Sequence, residues 1–543
     1  MVLLLLAAAV GCAEPPLSDS GIVIPGLVLG RETVCAAPAS GFGPFAEESV
    51  ARGVDAAIGD YEHHPGGSAS ATLTVEDLDA DGDIDLAFPD LHGSPLLFEN
   101  DGTGHFTEVP TALSVYGGGN HGVADIDADG LPDLVMVGIG HVFVAQNLGG
   151  MAFARPEEVF VLDDPAPTFA TFTAGDIDLD GDIDLVVPGL SLITDPCQLD
   201  GSCAASGEGS PVYVLVNEGG TFRVGAMLSP QGVSGYSLVA TLTDRDRDGD
   251  LDLFVPSDHS GMPPEGVLPP NAFYRNDGVG ADGDVVWVNE AAALELEFVM
   301  SGMGIATGDY NGDDQLDYCV SDFGPVRCFL SDRESYYDAG VAMGLSSGGA
   351  ELTAWAGWSV ELVDLDNNGE LDAFVTGGRA SMNEQGGSEH QPDLLFEGGA
   401  GGTLQEVGDA QGFGSDADDY GAAAADLDGD GVLEVVITPS IGAPQLYHAP
   451  CNAHGWLAVD LAGPAGNPLG LGTRVDVEAG GRRWTQEIQA LRGPGQSPSL
   501  AWFGLGGADA VDRLVVTWPG GAVQEFEAVP ARRTVTVMHP ERG

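Results

Sequence analysis

The feature that most constrains this chain is an acidic motif that occurs seven times. It first reads DLDADGDIDLAFP, starting at Asp77, with aspartates at alternate positions and a glycine at position six. Further copies start at Asp125, Asp176, Asp244, Asp309, Asp364 and Asp426, at intervals of 48 to 68 residues. Such spacing marks a repeat architecture, in which each unit buries its apolar face against its neighbours. A β-prone run such as ATLTV or WSVELV precedes each copy, and an apolar run such as LAFP, LVVP or LFVP follows. Short apolar runs bounded by Gly, Pro and Asp read as buried strands, so the acidic stretch joins two strands. Further on, PLLFENDGTGHFTEV and VYVLVNEGGTFRV each hold an Asn-x-Gly turn between β-prone runs, the signal of a second hairpin. One repeat thus supplies about four strands, the unit of a β-propeller blade. The expected fold is all-β: a seven-bladed β-propeller over residues 46–450 and a small C-terminal β-sandwich-like domain over 451–543.

Carboxylates packed this closely repel. A pair roughly 4 Å apart costs on the order of 1 kcal/mol in water and about 4 kcal/mol at an effective dielectric near 20. A loop that holds several in place needs a cation. Alternating hard oxygens suit calcium, which takes about six to eight oxygen ligands in a flexible shell; magnesium keeps its waters and zinc asks for His or Cys. The expected ligands occupy positions one, three, five, seven and nine, with position seven able to offer its carbonyl. In the first three loops these are Asp77, Asp79, Asp81, Asp83 and Asp85; Asp125, Asp127, Asp129, Leu131 and Asp133; and Asp176, Asp178, Asp180, Asp182 and Asp184. The fourth and fifth supply Asp244, Asp246, Asp248, Asp250 and Asp252, and Asp309, Asn311, Asp313, Gln315 and Asp317. The last two supply Asp364, Asp366, Asn368, Glu370 and Asp372, and Asp426, Asp428, Asp430, Val432 and Glu434. Up to seven calcium ions are expected, one per loop. An EF-hand starts alike but needs a bidentate Glu at position twelve, where the first copy has Phe88, and helical flanks. The plain alternative is a solvated acidic turn with no ion; seven copies in matched surroundings weigh against it. Two loops depart from the pattern. The fifth has Asp314 in place of Gly and Asn311 at position three, and the seventh has Glu434 at position nine, so weaker binding or none is expected there.

The loops resemble the FG-GAP/VCBS repeats of integrin α-subunit propellers and of many bacterial surface proteins. From about His454, GWLAVDLAGPAGNPLGLGTRVDVEAGGRRWTQEI and LAWFGLGGADAVDRLVVTWPGGAVQEF resemble the ASPIC/UnbV domain, with Trp502 where that signature usually has His. The combination is similar to the cartilage acidic protein family and its bacterial relatives. The resemblance implies a calcium-binding propeller and a terminal domain without assigned chemistry.

Charge marks the same boundary independently. Residues 451–543 carry eight Arg and nine acids, whereas the other 450 residues carry ten Arg and 75 acids of a net charge of −66. A polyanion of this size excludes nucleic acid and anionic membrane surfaces as partners. All 18 basic residues are Arg, which excludes chemistry that depends on lysine, such as a Walker A site or a pyridoxal Schiff base. The adjacent His63 and His64 read as an exposed loop, and His121 as a packed residue or one bonded to a loop.

MVLLLLAAAVGC opens the chain with an apolar stretch too short to span a bilayer, which fits a secretion signal over residues 1–12. AVGC resembles a bacterial lipobox, with Cys12 as the lipidated residue of an outer-membrane lipoprotein; the alternative is an ordinary signal with an incidental cysteine. Residues 13–45 then read as a linker. Six cysteines remain, and an even number in an exported chain suggests disulfides. Cys197 and Cys203 bracket a short loop, Cys319 and Cys328 sit on adjacent apolar runs, and Cys35 and Cys451 are left. FGPFAEESVARGV (residues 42–54) resembles the outer-strand pieces of the repeats but has no metal loop before it. It is expected to add the outer strand of the seventh blade, with a Cys35–Cys451 bond locking that seam.

The expected function is a surface-anchored adhesion or ligand-binding module with structural calcium, facing an extracellular protein or glycan. The long inserts SLITDPCQLDGSCAASGEGSP and SDHSGMPPEGVLPPN are its candidate ligand platform. The alternative is a polysaccharide lyase-like enzyme, which needs an acid–base set in the ring cavity. Trp484, Trp502 and Trp518 read as core packing, with a sugar-stacking surface as the other possibility. Ion removal is expected to destabilise the acidic blades far more than the terminal domain.

Overall fold

A computed structural model describes residues 24–56, 72–89, 94–115, 118–162, 166–193, 209–229, 237–259, 269–346, 355–378, 391–415, 417–439 and 442–542. The fold is all-β. Among the described residues, seven four-stranded antiparallel runs each hold one acidic loop between their first and second strands. In the first, Leu73–Glu76, Asp85–Phe88, Leu96–Asn100 and Phe106–Val109 pair in sequence order. The first two strands are buried along their length and the fourth is largely exposed, which gives each sheet an inner and an outer edge.

Hydrophobic cores form between the sheets. Phe254 and Phe273 of the fourth sheet pack with Ile305 and Tyr318 of the fifth. Leu73, Leu86 and Phe98 of the first pack with Ala423, Val436 and Leu446 of the seventh, so the circuit of cores returns to its start. Each buried Phe or Leu contributes about 1.5–3 kcal/mol.

The seventh sheet takes its outer strand from the chain's beginning, as expected: Ala46–Glu47 pairs with Tyr447–His448. The seam disulfide is present, joining Cys35 and Cys451 across 416 residues. Cys319 and Cys328 are bonded between directly paired positions of neighbouring strands. Cys12, His63, His64, Cys197 and Cys203 lie outside the described residues.

Residues from Gly455 onward supply seven of the eight strands of two further four-stranded sheets around a shared core that includes Val459, Val475, Phe503 and Val535. This matches the sandwich expectation. One edge strand comes from elsewhere: Leu27–Leu29, inside the expected linker, pairs with Val535–Val537. The short apolar LVL run buries both leucines against the sandwich, which explains why it is not a free tether.

The C-terminal unit caps the sheets rather than hanging from them. Its segment from Ile488 to Ser499 runs where the first strands converge. Gly495–Gln496 adds to Leu73–Glu76 as a parallel strand. Gln496 binds both the N–H and the carbonyl of Val123, at 2.8 and 3.1 Å. Gln489 donates to the Leu242 carbonyl, and Ile305 N–H donates to the Arg492 carbonyl. Arg492 meets Glu361 at 2.9 Å, and Ala424 N–H donates to Ser497 Oγ. Six of the seven first strands are therefore held by one segment.

Candidate metal centres

Each acidic loop is a chain of tight turns. The position-three carboxylate accepts the N–H of position five, as Asp79 does from Asp81 at 3.2 Å, and position five accepts from position seven. Asp77 accepts from Gly82 N–H at 3.0 Å. Left-handed backbone recurs at positions four and six, with φ of 63° at Ala80 and 100° at Gly82. In the fifth loop the glycine is displaced rather than lost. Gly312 takes position four at φ 75°, and Asp314 takes position six at the same φ. Asp314 is held there by Arg247 and Arg474, each at 2.9 Å. The missing glycine therefore leaves the turn in place.

Position nine braces the sheet. Asp85 accepts from Leu78 N–H at 3.0 Å and, through its other oxygen, from Asn100 N–H at 2.8 Å. Asp133 and Asp184 make the same pairs with Ile126 and Asn147 and with Ile177 and Asn217. Asp252 accepts from Asn276 N–H, Asp317 from Tyr310 and Ser331, and Asp372 from Leu365 and Gly398. Each oxygen keeps a lone pair for a ligand.

Positions one, three and nine converge. Asp77, Asp79 and Asp85 bring one oxygen each within 4.8 Å of one another, as do Asp125, Asp127 and Asp133, and Asp176, Asp178 and Asp184. In the fourth loop the converging set is Asp244, Asp246 and Asp248. Several of these oxygens are buried without a hydrogen-bond partner: Oδ1 of Asp176, Asp244 and Asp426 at position one, Oδ1 of Asp83 and Asp250 at position seven, and Oδ2 of Asp252 at position nine. A buried unpaired carboxylate oxygen is costly unless a cation or donor meets it. Burial pushes Asp77 and Asp125 up to about 6, Asp133 and Asp176 to about 7, and Asp85, Asp184 and Asp317 to about 8, with neighbouring aspartates adding to the rise. An oxygen-rich, buried, self-repelling donor set fits calcium.

Position seven is mixed. Leu131 and Val432 have no side-chain oxygen, so only their carbonyls fit. Asp182 accepts from Gly219 N–H, and Glu370 is turned to Arg482 at 3.0 Å. Asn311 spends its amide on the Ser331 carbonyl and the Asp313 N–H, and Asn368 accepts from Glu370 N–H.

Two sets of residues escaped the sequence reading. Asn100, Asn147, Asn217 and Asn276 each donate to their own loop and to the loop of the preceding sheet: Asn147 reaches Pro132 O at 2.9 Å and Leu78 O at 2.7 Å. Their recurrence in N-x-G turns was the available signal, read only as a hairpin turn. The second set belongs to the cap, which sits on the loop-bearing face. Trp502 stacks on Trp456 with ring centroids 4.6 Å apart and donates to Asn367 in the sixth loop at 3.0 Å. Trp484 donates to the Gly369 carbonyl in the same loop, and Asp244 N–H donates to Glu487. Trp502 and Trp518 are buried and Trp484 half-buried, which leaves no stacking surface of three tryptophans. His121 is packed, with its N–H bonded to Thr72 and its ring to the Ala87 carbonyl. Between cap and loops lies a cavity of about 530 Å³ lined by residues that include Glu76, Tyr310, Glu361, Glu487 and Arg492.

Comparison with known proteins follows the same division. Residues 77–135 and 125–187 match the FG-GAP-like repeat, and residues 463–543 match ASPIC and UnbV. Among curated proteins none matches the chain. Similar solved structures include an Agrocybe aegerita lectin specific for non-reducing terminal N-acetylglucosamine, at 18% identity and TM-score 0.40, covering 67% of this chain and 88% of that one. The BP39L lectin from Burkholderia pseudomallei is 13% identical with TM-score 0.43, covering 70% and 98%. BBS1N, solved in complex with ARL6DN, is 11% identical with TM-score 0.41, covering 74% and 97%. These likenesses are too distant to assign a ligand. The chain carries FG-GAP-like repeats within residues 77–187 and a C-terminal ASPIC/UnbV domain over residues 463–543.

Proposed function

We propose that this is an exported, calcium-loaded binding module in which the seven sheets are the blades of a seven-bladed propeller and the ions are structural. The observation that carries the reading is the set of buried carboxylate oxygens without partners in the first, third and fourth loops. The ions fix the loops, and the loops seat the cap. One face of the ring is then covered, and ligand recognition falls to the other. Connections from second to third strands leave on that opposite face. The strands ending at Val187 and Val255 lead out on that face toward the two inserts, whose residues 194–208 and 260–268 lie outside the described residues, and the ligand platform is assigned to them.

The protein acts here by binding rather than catalysis. A lyase-like enzyme needs a convergent acid–base set. Tyr310 and Arg492 line the cavity under the cap, but Arg492 is committed to Glu361. The two disulfides among the described residues suit an extracellular setting. No helix among the described residues is long and apolar enough to cross a membrane. Lipid attachment at Cys12 completes the proposal, and mass spectrometry of the mature N-terminus tests it. Metal analysis of the purified protein, followed by glycan and protein arrays with and without calcium, tests the rest. Bound calcium and a calcium-dependent ligand support the proposal, and a metal-free, fully folded protein refutes it.

A further inference from the structure

The seventh loop differs from the others in what surrounds it. In six loops the position-nine carboxylate accepts a backbone N–H from the third strand, as Asp85 does from Asn100 and Asp372 from Gly398. In the seventh, Glu434 Oε2 accepts from Leu427 N–H while Oε1 accepts from Arg52 Nη2 at 3.3 Å. The same nitrogen lies 3.0 Å from Asp428 Oδ2 at position three, and Arg52 Nε binds Glu48 at 2.9 Å. Both Arg52 and Glu434 are buried. A guanidinium thus bridges positions three and nine, two of the three positions that converge for an ion in the first three loops.

We infer that Arg52 is the built-in cation of the seventh loop and takes the place of calcium there. This rests on the calcium reading of the other loops. A guanidinium held by three carboxylates is fixed by charge-assisted hydrogen bonds, and the planar fork suits bridging. The loop keeps other donors, Asp426 Oδ1 and the converging group of Asp428, Asp430 and His448, but a divalent ion among them meets the like charge of the guanidinium and finds one oxygen each of Asp428 and Glu434 already bridged. The location has a consequence. Arg52 belongs to the N-terminal segment whose Ala46–Glu47 strand completes the seventh sheet. Its carbonyl also accepts from Phe106 N–H of the first sheet at 2.7 Å. The seam where the ring closes is therefore held by strand pairing, the Cys35–Cys451 disulfide and protein charge rather than by an ion, and it stays closed when calcium is withdrawn from the other loops.

Hydrogen exchange on the full chain, with calcium and after chelation, tests this, together with calcium counts for wild type and Arg52→Met. Residues 77–85 and 125–133 are expected to lose protection on chelation while 426–434 keep theirs, and Arg52→Met is expected to bind one more calcium per chain. Equal loss of protection at 426–434 in the wild type, or equal counts in a folded variant, overturns the inference. Should Arg52→Met fail to fold, the wild-type exchange pattern decides. No response in any loop means that the calcium reading itself fails, and this inference with it.

Discussion

At the scale of residues, the positions of one loop do different work. Asp81 and Asn368 both stand at position five and both accept from the position-seven N–H. Asp81→Asn keeps that acceptor, so it is expected to cost under about 1 kcal/mol of stability in denaturant unfolding with calcium present. Asp85→Asn removes the charge and leaves one acceptor oxygen where Leu78 N–H and Asn100 N–H each use one, with an NH2 facing the other donor and the ion. Its expected cost is about 3 kcal/mol, the upper range for a hydrogen bond to a charged group. Equal effects of the two substitutions would contradict the assignment of position nine as brace and ligand. The aspartate spacing made the ligands legible in the sequence, because alternation along a tight turn leaves few other arrangements. Arg52 was not legible: it lies 376 residues from Asp428 along the chain, and no local pattern links the two.

At the scale of elements, the strands were legible because each is a short apolar run bounded by turn residues. Their partners were legible only where neighbours in sequence are neighbours in space. Leu27–Leu29 and Gly495–Gln496 each pair with a strand more than 400 residues away, and neither run carries a periodic signal. The second of these predicts a sharp effect. A Cβ on Gly495 would sit 1.9 Å from the Ala422 carbonyl oxygen, which is backbone and cannot move aside. Gly495→Ala is expected to unseat the cap segment from the ring, read as faster proteolysis and hydrogen exchange at 488–499. Unchanged protection would contradict the packing described here. At the seam, Cys451→Ser opens a very long covalent loop. The chain-entropy model gives about 4.7 kcal/mol for a loop of about 100 residues and more for a longer one, while measured values run to about 5 kcal/mol, so a loss of up to about 5 kcal/mol is expected in denaturant unfolding.

At the scale of the molecule, loops, cap and ring form one coupled body. Trp502, Trp484 and Glu487 grip the loops directly, so ion removal, which is expected to destabilise the acidic blades most, reaches the cap as well. The sign of the pH effect follows from the raised carboxyls. Asp77 at about 6, Asp133 at about 7 and Asp85 at about 8 bind protons more tightly in the folded chain than in the unfolded one, where they titrate near about 4. Without calcium, stability therefore falls as pH rises from about 4 to about 8. A calcium-free sample is expected to melt at lower temperature at pH 8 than at pH 5. Calcium, which takes the charged form, is expected to shrink or reverse that difference.

The most direct test of the central claim is thermal unfolding of the mature chain in millimolar calcium and in excess chelator, with metal analysis of the same sample. The account predicts several calcium ions per chain, no more than six of the seven loops filled, and a large fall in melting temperature on chelation. A protein without calcium whose transition is the same in both buffers would contradict it.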